Sequence, residues 1–497
     1  MPRIFPLWLA PPGANIGVIL FFFLAGATVG CAVNPVTGQQ EFVLMSEQQE
    51  LAIGNQANRQ VLQQYQVYPD QQLQIYVASV GQRLARISHR KDLSYHFTVL
   101  DSTEINAFAL PGGYIYITRG LLAYLNSEAE LAAVLGHEIG HVTARHSVRQ
   151  QTSARVAGVG AGILSILLPE LANAGLGQTV NVLGTALLSG YGREHELEAD
   201  RLGADYLAHS GYDPQAMLAV IRTLKEHEIL ESRLAREEGR RARIYHGVFS
   251  THPDNDTRLR EIIAHAASQG TTADALYRDR FLDEIDGLIF GPNPTAGVVT
   301  GADFYHPALG FAVQFPAGWE VANQPDQIIA VNPRKTAQVQ LTTRQVESGM
   351  TPRKVLAESR IGTLTAEERL DAAGVDGITG IATVNMDGGS RTARISALVL
   401  DRQAYVIVGM AREPGQLAQF DEVFKDVAES FHRLTATERA GAHGNRLRVV
   451  TLNGAISWRT LARSSPLQKL PETHLKLLNA APNETLAPTT RRIKVVE

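Results

Sequence analysis

The decisive stretch is residues 127–146, SEAELAAVLGHEIGHVTARH. Ser127 and Glu130 form an S-x-x-E pattern, in which each end of the motif can satisfy a free backbone N–H at the start of a helix. The apolar run that follows predicts that this helix continues through His146. Inside it lies His137-Glu138-Ile139-Gly140-His141. On a helix, residues four apart differ by ~40° and share a face, so both imidazoles can reach one metal ion. Glu138 stands beside the first imidazole, where a carboxylate can act as general base on a metal-bound water. A catalytic zinc takes three protein ligands and leaves one position open, so a third ligand is expected elsewhere.

Eight of the 15 histidines lie between His137 and His252, and acidic candidates lie there too. Arg193-Glu194-His195-Glu196-Leu197-Glu198-Ala199-Asp200 reads as a helix. On it Glu196 and Asp200 share a face, and Arg193 sits one turn before Glu196. That geometry suits one carboxylate on the metal and another that orients a ligand imidazole from behind. Glu194 and Glu198 fall on other faces and read as solvated. Spacing alone leaves Glu196, His195 and Glu198 all open as the third ligand. His146 and His195 read as supporting residues rather than ligands, and His209 and His227 as surface residues.

Upstream, residues 46–88 show helical apolar spacing, and Tyr95 to Leu100 alternates as a strand. Pro111-Gly112-Gly113 is a turn before the alternating run Tyr114-Ile115-Tyr116-Ile117-Thr118. That run is expected to form an exposed edge, along which an extended peptide can pair. Downstream, the apolar stretch from Val156 to Gly190 is interrupted by Pro169-Glu170. Neither half reaches the ~20 residues of a membrane span. Helices are expected around 191–209, from Asp213-Pro214, and near 254–288, with a solvated charged segment at 233–243. Residues 291–301 read as a linker. Strands and one amphipathic helix then make an α+β domain over 302–434. A second linker, ATERAGAHGN, leads to a small tail, 446–497. No helical repeat of about 34 residues is evident.

At the other end, Ile16 to Val29 is an apolar run of secretory type that stops at Gly30-Cys31. Small residues before a cysteine resemble a bacterial lipobox, and residues 1–30 read as a lipoprotein signal peptide. Cys31 would then carry the lipid, and by resemblance to Gram-negative lipoproteins Ala32 after it implies sorting to the outer membrane. The chain has 497 residues and one cysteine, so it forms no internal disulfide. Lys+Arg 46 against Asp+Glu 50 gives a net charge of −4. No basic excess is present to bind nucleic acid.

The HEIGH motif followed by Glu196-x-x-Ala199-Asp200 resembles the HtpX and CAAX-prenyl-protease family of zinc metallopeptidases, in its periplasmic BepA-like branch. The resemblance runs through INAFALPGGYIYITRGLL (105–122), HVTARH (141–146), GYDP (211–214) and STHPDNDTRL (250–259). It covers about residues 40–270. It implies a mainly α-helical gluzincin-type domain with a small β-hairpin or sheet, spanning 31–290. It implies one Zn²⁺ held by His137, His141 and Glu196, with the motif's Asp at Asp200; helical spacing adds Arg193 to Asp200 as a residue behind the ligands. It also implies that His252 can act as a fourth ligand that blocks the water position. The substrate-pairing edge is placed near Asn106, Ala107, Tyr114, Ile115 and Tyr116. The expected activity is zinc-dependent endopeptidase cleavage of unfolded or misassembled cell-envelope proteins in the periplasm, from a lipid anchor in the outer membrane. A latent peptidase acting mainly as a chaperone, or a peptidoglycan-associated tether, is the alternative. The tail distantly resembles a LysM-like module, which implies peptidoglycan contact; a plain β-α-α-β cap fits it equally.

Overall fold

The computed structural model describes residues 31–43, 45–156, 191–237, 263–264, 268 and 276–497, except 325–326, 360–363, 387–388, 414, 443, 453, 468 and 488–491. The signal-peptide segment, the apolar stretch 157–190 and His252 lie outside the described residues. Among the described residues no helix is long and apolar enough to cross a membrane.

The first unit opens with a short hairpin, β1 (Cys31–Val33) and β2 (Gln40–Phe42). Helices α1 (Glu47–Gln64) and α2 (Gln71–Ala85) follow. Ser46 and Gln49 close a capping box at the start of α1, and Asp70 caps α2. Strands β3 (His96–Leu100), β4 (Ala107–Leu110) and β5 (Tyr114–Thr118) form one sheet in the order β3-β5-β4. β5 runs parallel to β3 and antiparallel to β4. The run Tyr114–Thr118 is therefore the middle strand and not an edge, with Ile115 and Tyr116 buried. Its hydrogen-bonding groups are used on both sides, and β4 holds the edge position instead.

Helix α3 (Arg119–Tyr124) leads into α4 (Glu128–Thr143), in which every residue is buried. Ser127 caps it by accepting from the Glu130 N–H, and Glu130 reaches back to the Asn126 N–H at 2.7 Å. The helix does not run on to His146. It ends at Thr143, Arg145 takes a left-handed conformation (φ 54°), and α5 (His146–Val156) starts afresh. A left-handed residue without Gly or Asn needs support from its surroundings. Here Arg145 Nε donates to Glu50 Oε2 at 2.8 Å, while Arg90 Nη1 donates to Glu50 Oε1 at 2.6 Å and to the Val142 carbonyl at 3.2 Å. Glu50 on α1 thus clamps the chain reversal from the side.

Among the described residues, helices α6 (Arg193–His209), α7 (Ala216–Glu237) and α8 (Arg278–Ile285) and strand β6 (Ile289–Phe290) follow. His227 on α7 is half-buried and not fully at the surface. Its ring meets Tyr124 edge-on at 5.2 Å, and burial lowers its pKa to about 4.

The second unit begins inside the expected linker, because Val298–Thr300 is already a strand, β7. It continues with β8 (Asp303–His306), β9 (Phe311–Gln314), β10 (Glu320–Asn323), β11 (Gln327–Val331), β12 (Ala337–Gln345), α9 (Pro352–Glu358), β13 (Thr365–Arg369), β14 (Asp376–Met386), β15 (Gly389–Leu400), β16 (Gln403–Ala411), α10 (Asp421–Glu429) and β17 (His432–Arg433). Seven strands form an antiparallel sheet, β10-β11-β12-β16-β15-β14-β13, and β17-β9-β8-β7 form a second. The mixed helix-and-sheet character matches the α+β expectation. The second linker contains a helix, α11 (Ala436–Gly441), whose Thr435/Glu438 capping box is visible in the sequence as T-x-x-E.

The tail has the order β18 (Asn445–Thr451), α12 (Trp458–Ser464), α13 (Pro471–Leu478), β19 (Arg492–Val496). It is not a separate module in its packing. β18 pairs with both β19 and β6. Trp458, Leu475, Leu478 and Ile493 share one hydrophobic core with Leu131, Leu135 and Leu207 of the first unit. Lys494 is fully buried and donates to the carbonyls of Ala123 (2.8 Å) and Leu125 (2.7 Å), just ahead of α4.

Candidate metal centre

Two helices build the site. α4 presents His137, Glu138 and His141, which are 1%, 3% and 4% exposed. α6 crosses it at very short range because glycines line the crossing. A Cβ at Gly140 would stand 2.9 Å from the Ala199 carbonyl oxygen, and one at Gly203 would stand 3.0 Å from the His137 nitrogen. This close approach lets short carboxylate side chains on α6 reach imidazoles on α4.

Nε2 of His137 and Nε2 of His141 are 2.9 Å apart. Glu196 approaches the same point, 3.5 Å from His137 Nε2 and 3.9 Å from His141 Nε2. The donor atoms of His137, His141 and Glu196 all lie within 4.8 Å of one another. Among the described residues, two imidazole nitrogens and one carboxylate oxygen converge on a point; zinc accepts that donor set, so the residues present fit the ion. The other two candidates on α6 point elsewhere. His195 stacks on His146 at 4.4 Å, and Glu198 bonds to His146 Nε2 (3.1 Å) and Arg149 Nη1 (2.7 Å). Glu198 is therefore paired rather than merely solvated. Those hydrogen bonds, His146 first, hold its carboxyl down at about 2.

Asp200 sits one turn after Glu196 and bonds His137 Nδ1 at 2.9 Å. Burial opposes a charge on His137, but the hydrogen bonds to Asp200 and Glu196 outweigh it and raise its pKa to about 10. His141 is pushed well below its usual value by burial and by the charges of His137 and His146. Burial lifts Glu138 to about 7, with His137 opposing and Glu196 reinforcing the shift. Ala109, on β4, stands near enough to Glu138 for its backbone to favour the charged carboxylate and oppose the effect of burial. The edge strand of the small sheet thus lies directly beside the expected general base.

Arg193 is exposed at the first residue of α6. The Tyr191 ring stacks on His141 at 4.1 Å and its hydroxyl meets Ser147 Oγ at 2.7 Å. Asn106 precedes β4 and Ala107 starts it, Ala107 buried and Asn106 half-buried. Sequence reasoning missed two features here: the tie of His146 to His141 (Nδ1 to Nδ1, 2.8 Å) and the Glu50 clamp. The first depends on a chain reversal at Arg145, where no Gly or Pro marks it.

Residues 71–266 match the model of Peptidase family M48. A beta-barrel assembly-enhancing protease of Escherichia coli (strain K12) is 34% identical over 233 residues, 45% of this chain and 45% of the relative. A putative beta-barrel assembly-enhancing protease of Vibrio cholerae is 35% identical over 178 residues, 34% and 36% of the two chains. A mitochondrial metalloendopeptidase OMA1 of Arabidopsis thaliana is 35% identical over 159 residues, 32% of each. The chain spans less than half the length of these relatives.

Proposed function

We propose that this chain, which carries a peptidase family M48 domain, is a zinc-dependent endopeptidase acting on unfolded or misassembled cell-envelope proteins. The observation that carries the reading is the convergence of His137, His141 and Glu196 with the buried Glu138 alongside. Bound zinc would supply a water of pKa near 7 and polarise the scissile carbonyl. Glu138 would accept a proton from the attacking water and return it to the leaving amine; burial lifts its pKa to about 7, which suits a group that both accepts and donates. Asp200 holds His137 in one tautomer by accepting from Nδ1. The low exposure of α4 excludes bulk water from around these groups.

The substrate is an extended segment that pairs with the free edge of β4. The contact between Ala109 and Glu138 supports this, since a peptide lying along that edge passes the base. Backbone pairing carries little sequence preference, which suits a quality-control protease. Lipidation of Cys31 anchors the chain in the outer membrane facing the periplasm, and His252 acts as a removable fourth ligand. The core that the tail shares with the first unit supports a capping role for residues 446–497 over a free peptidoglycan-binding arm.

The test compares wild type and Glu138→Gln on casein and on an unfolded outer-membrane barrel protein, with zinc content measured in both. Cleavage by wild type and its loss in the variant at equal zinc content is the expected result. Equal cleavage by both would sink the mechanism.

A further inference from the structure

We propose that His146 is a positioning residue for the metal site, holding His141 through its Nδ1 and passing the load to Glu198. This rests on the reading of His137, His141 and Glu196 as metal ligands. A ligating imidazole nitrogen carries no proton. With His141 Nε2 facing His137 and Glu196, its proton sits on Nδ1. That Nδ1 lies 2.8 Å from His146 Nδ1, to which it donates. His146 then carries its own proton on Nε2, which donates to Glu198 Oε2 at 3.1 Å. Arg149 Nη1 donates to the same oxygen at 2.7 Å and fixes the carboxylate. Every donor in this series meets an acceptor, and only one set of tautomers satisfies it.

The two ligand imidazoles are therefore supported differently. His137 leans directly on a carboxylate, Asp200. His141 leans on a second imidazole, fully buried, which leans on a carboxylate nearer the surface. The arrangement needs the break after α4. On an unbroken helix a residue five positions on lies ~140° away around the axis and faces elsewhere. The left-handed Arg145 returns His146 to the His141 ring. His195, stacked on His146 at 4.4 Å, limits its rotation.

The test is zinc affinity by chelator competition on the full chain, for wild type, His146→Leu, His146→Gln and Glu198→Gln. Thermal unfolding of each metal-free protein reports the fold. A glutamine at 146 offers an acceptor oxygen to His141 Nδ1; a leucine offers none. His146→Leu is expected to weaken zinc binding about 10–100-fold, as losing an imidazole's outer partner does. His146→Gln should recover most of that loss, and Glu198→Gln should lie between. Unchanged affinity in His146→Leu, or an equal loss in His146→Gln, overturns the proposal. If His146→Leu does not fold, Glu198→Gln decides, and wild-type affinity there overturns it. A wild type that binds no zinc removes the metal-site reading itself, which is a distinct result.

Discussion

Nδ1 of His137 and Oδ1 of Asp200 are 2.9 Å apart in the buried crossing of α4 and α6, while Nε2 of the same ring faces His141 and Glu196. One carboxylate thus sets the orientation of a ligand imidazole from behind. Asp200→Ala is expected to weaken zinc binding about 10–100-fold. Asp200→Asn keeps an acceptor oxygen and should lose less. Isothermal titration against a competing chelator separates the two variants, and equal affinities in wild type and Asp200→Ala would contradict the role.

Metal-free His137 carries a proton at neutral pH, because Asp200 and Glu196 overcome the cost of burial and raise its pKa to about 10. Its ordinary value is 6.5, so the folded state holds the proton more tightly than the unfolded one. That contribution is complete below pH 6.5 and is lost as pH rises through about 10. Thermal unfolding of the metal-free protein should therefore shift to lower temperature across that window. Zinc loading must expel the proton, so titration with zinc at pH 7–8 should release it into a weak buffer. A metal-free stability that rises between pH 6.5 and 10 would show that another group dominates.

Gly140 allows the close crossing. An alanine there would press on the Ala199 carbonyl oxygen at 2.9 Å and its Cα at 3.0 Å. Alanine is otherwise about 1 kcal/mol better than glycine inside a helix. Gly140→Ala should nonetheless lower both stability and zinc affinity, since α6 must move away from α4. Retained affinity together with a higher unfolding temperature would mean that propensity outweighs the clash.

Glu50 holds two buried arginines. Glu50→Ala leaves Arg90 and Arg145 without their shared carboxylate, and breaking a buried pair from one side costs about 3–5 kcal/mol. The expected readout is a large drop in the unfolding midpoint of the first unit, with Glu50→Gln less affected.

Lys494 joins the C-terminal strand to the loop before α4. Burial pushes Lys494 down and its neighbour Glu130 up. Lys494→Met strands the Ala123 and Leu125 carbonyls, each an unsatisfied buried acceptor worth about 1–3 kcal/mol. Limited proteolysis should then open the first unit at lower temperature. Undisturbed protection after removal of residues 445–497 would refute the shared core.

Much of the site is legible along the chain. The shared face of His137 and His141 and of Glu196 and Asp200 follows from helical geometry alone, and each motif lies on a helix, although the first ends at Thr143 and not at His146. The T-x-x-E cap of α11 is equally readable, inside the stretch expected to be a linker. The position of Tyr114–Thr118 was not readable, because alternation marks a strand but says nothing about what pairs on either side.

The sequence by itself determined the chemistry: two imidazoles and a carboxylate base on one helix, acidic partners on another, and no thiol among them. Only the tertiary structure decided which acid faces the imidazoles. Glu196 and Glu198 differ by two positions, and the choice between them depends on how α6 is rotated against α4, which the Gly140 and Gly203 contacts set. It also decided that His146 returns to His141, since the left-handed Arg145 is held by Glu50, 95 residues away in the chain. Spacing is a local property of the backbone; the facing of one helix by another is a property of packing.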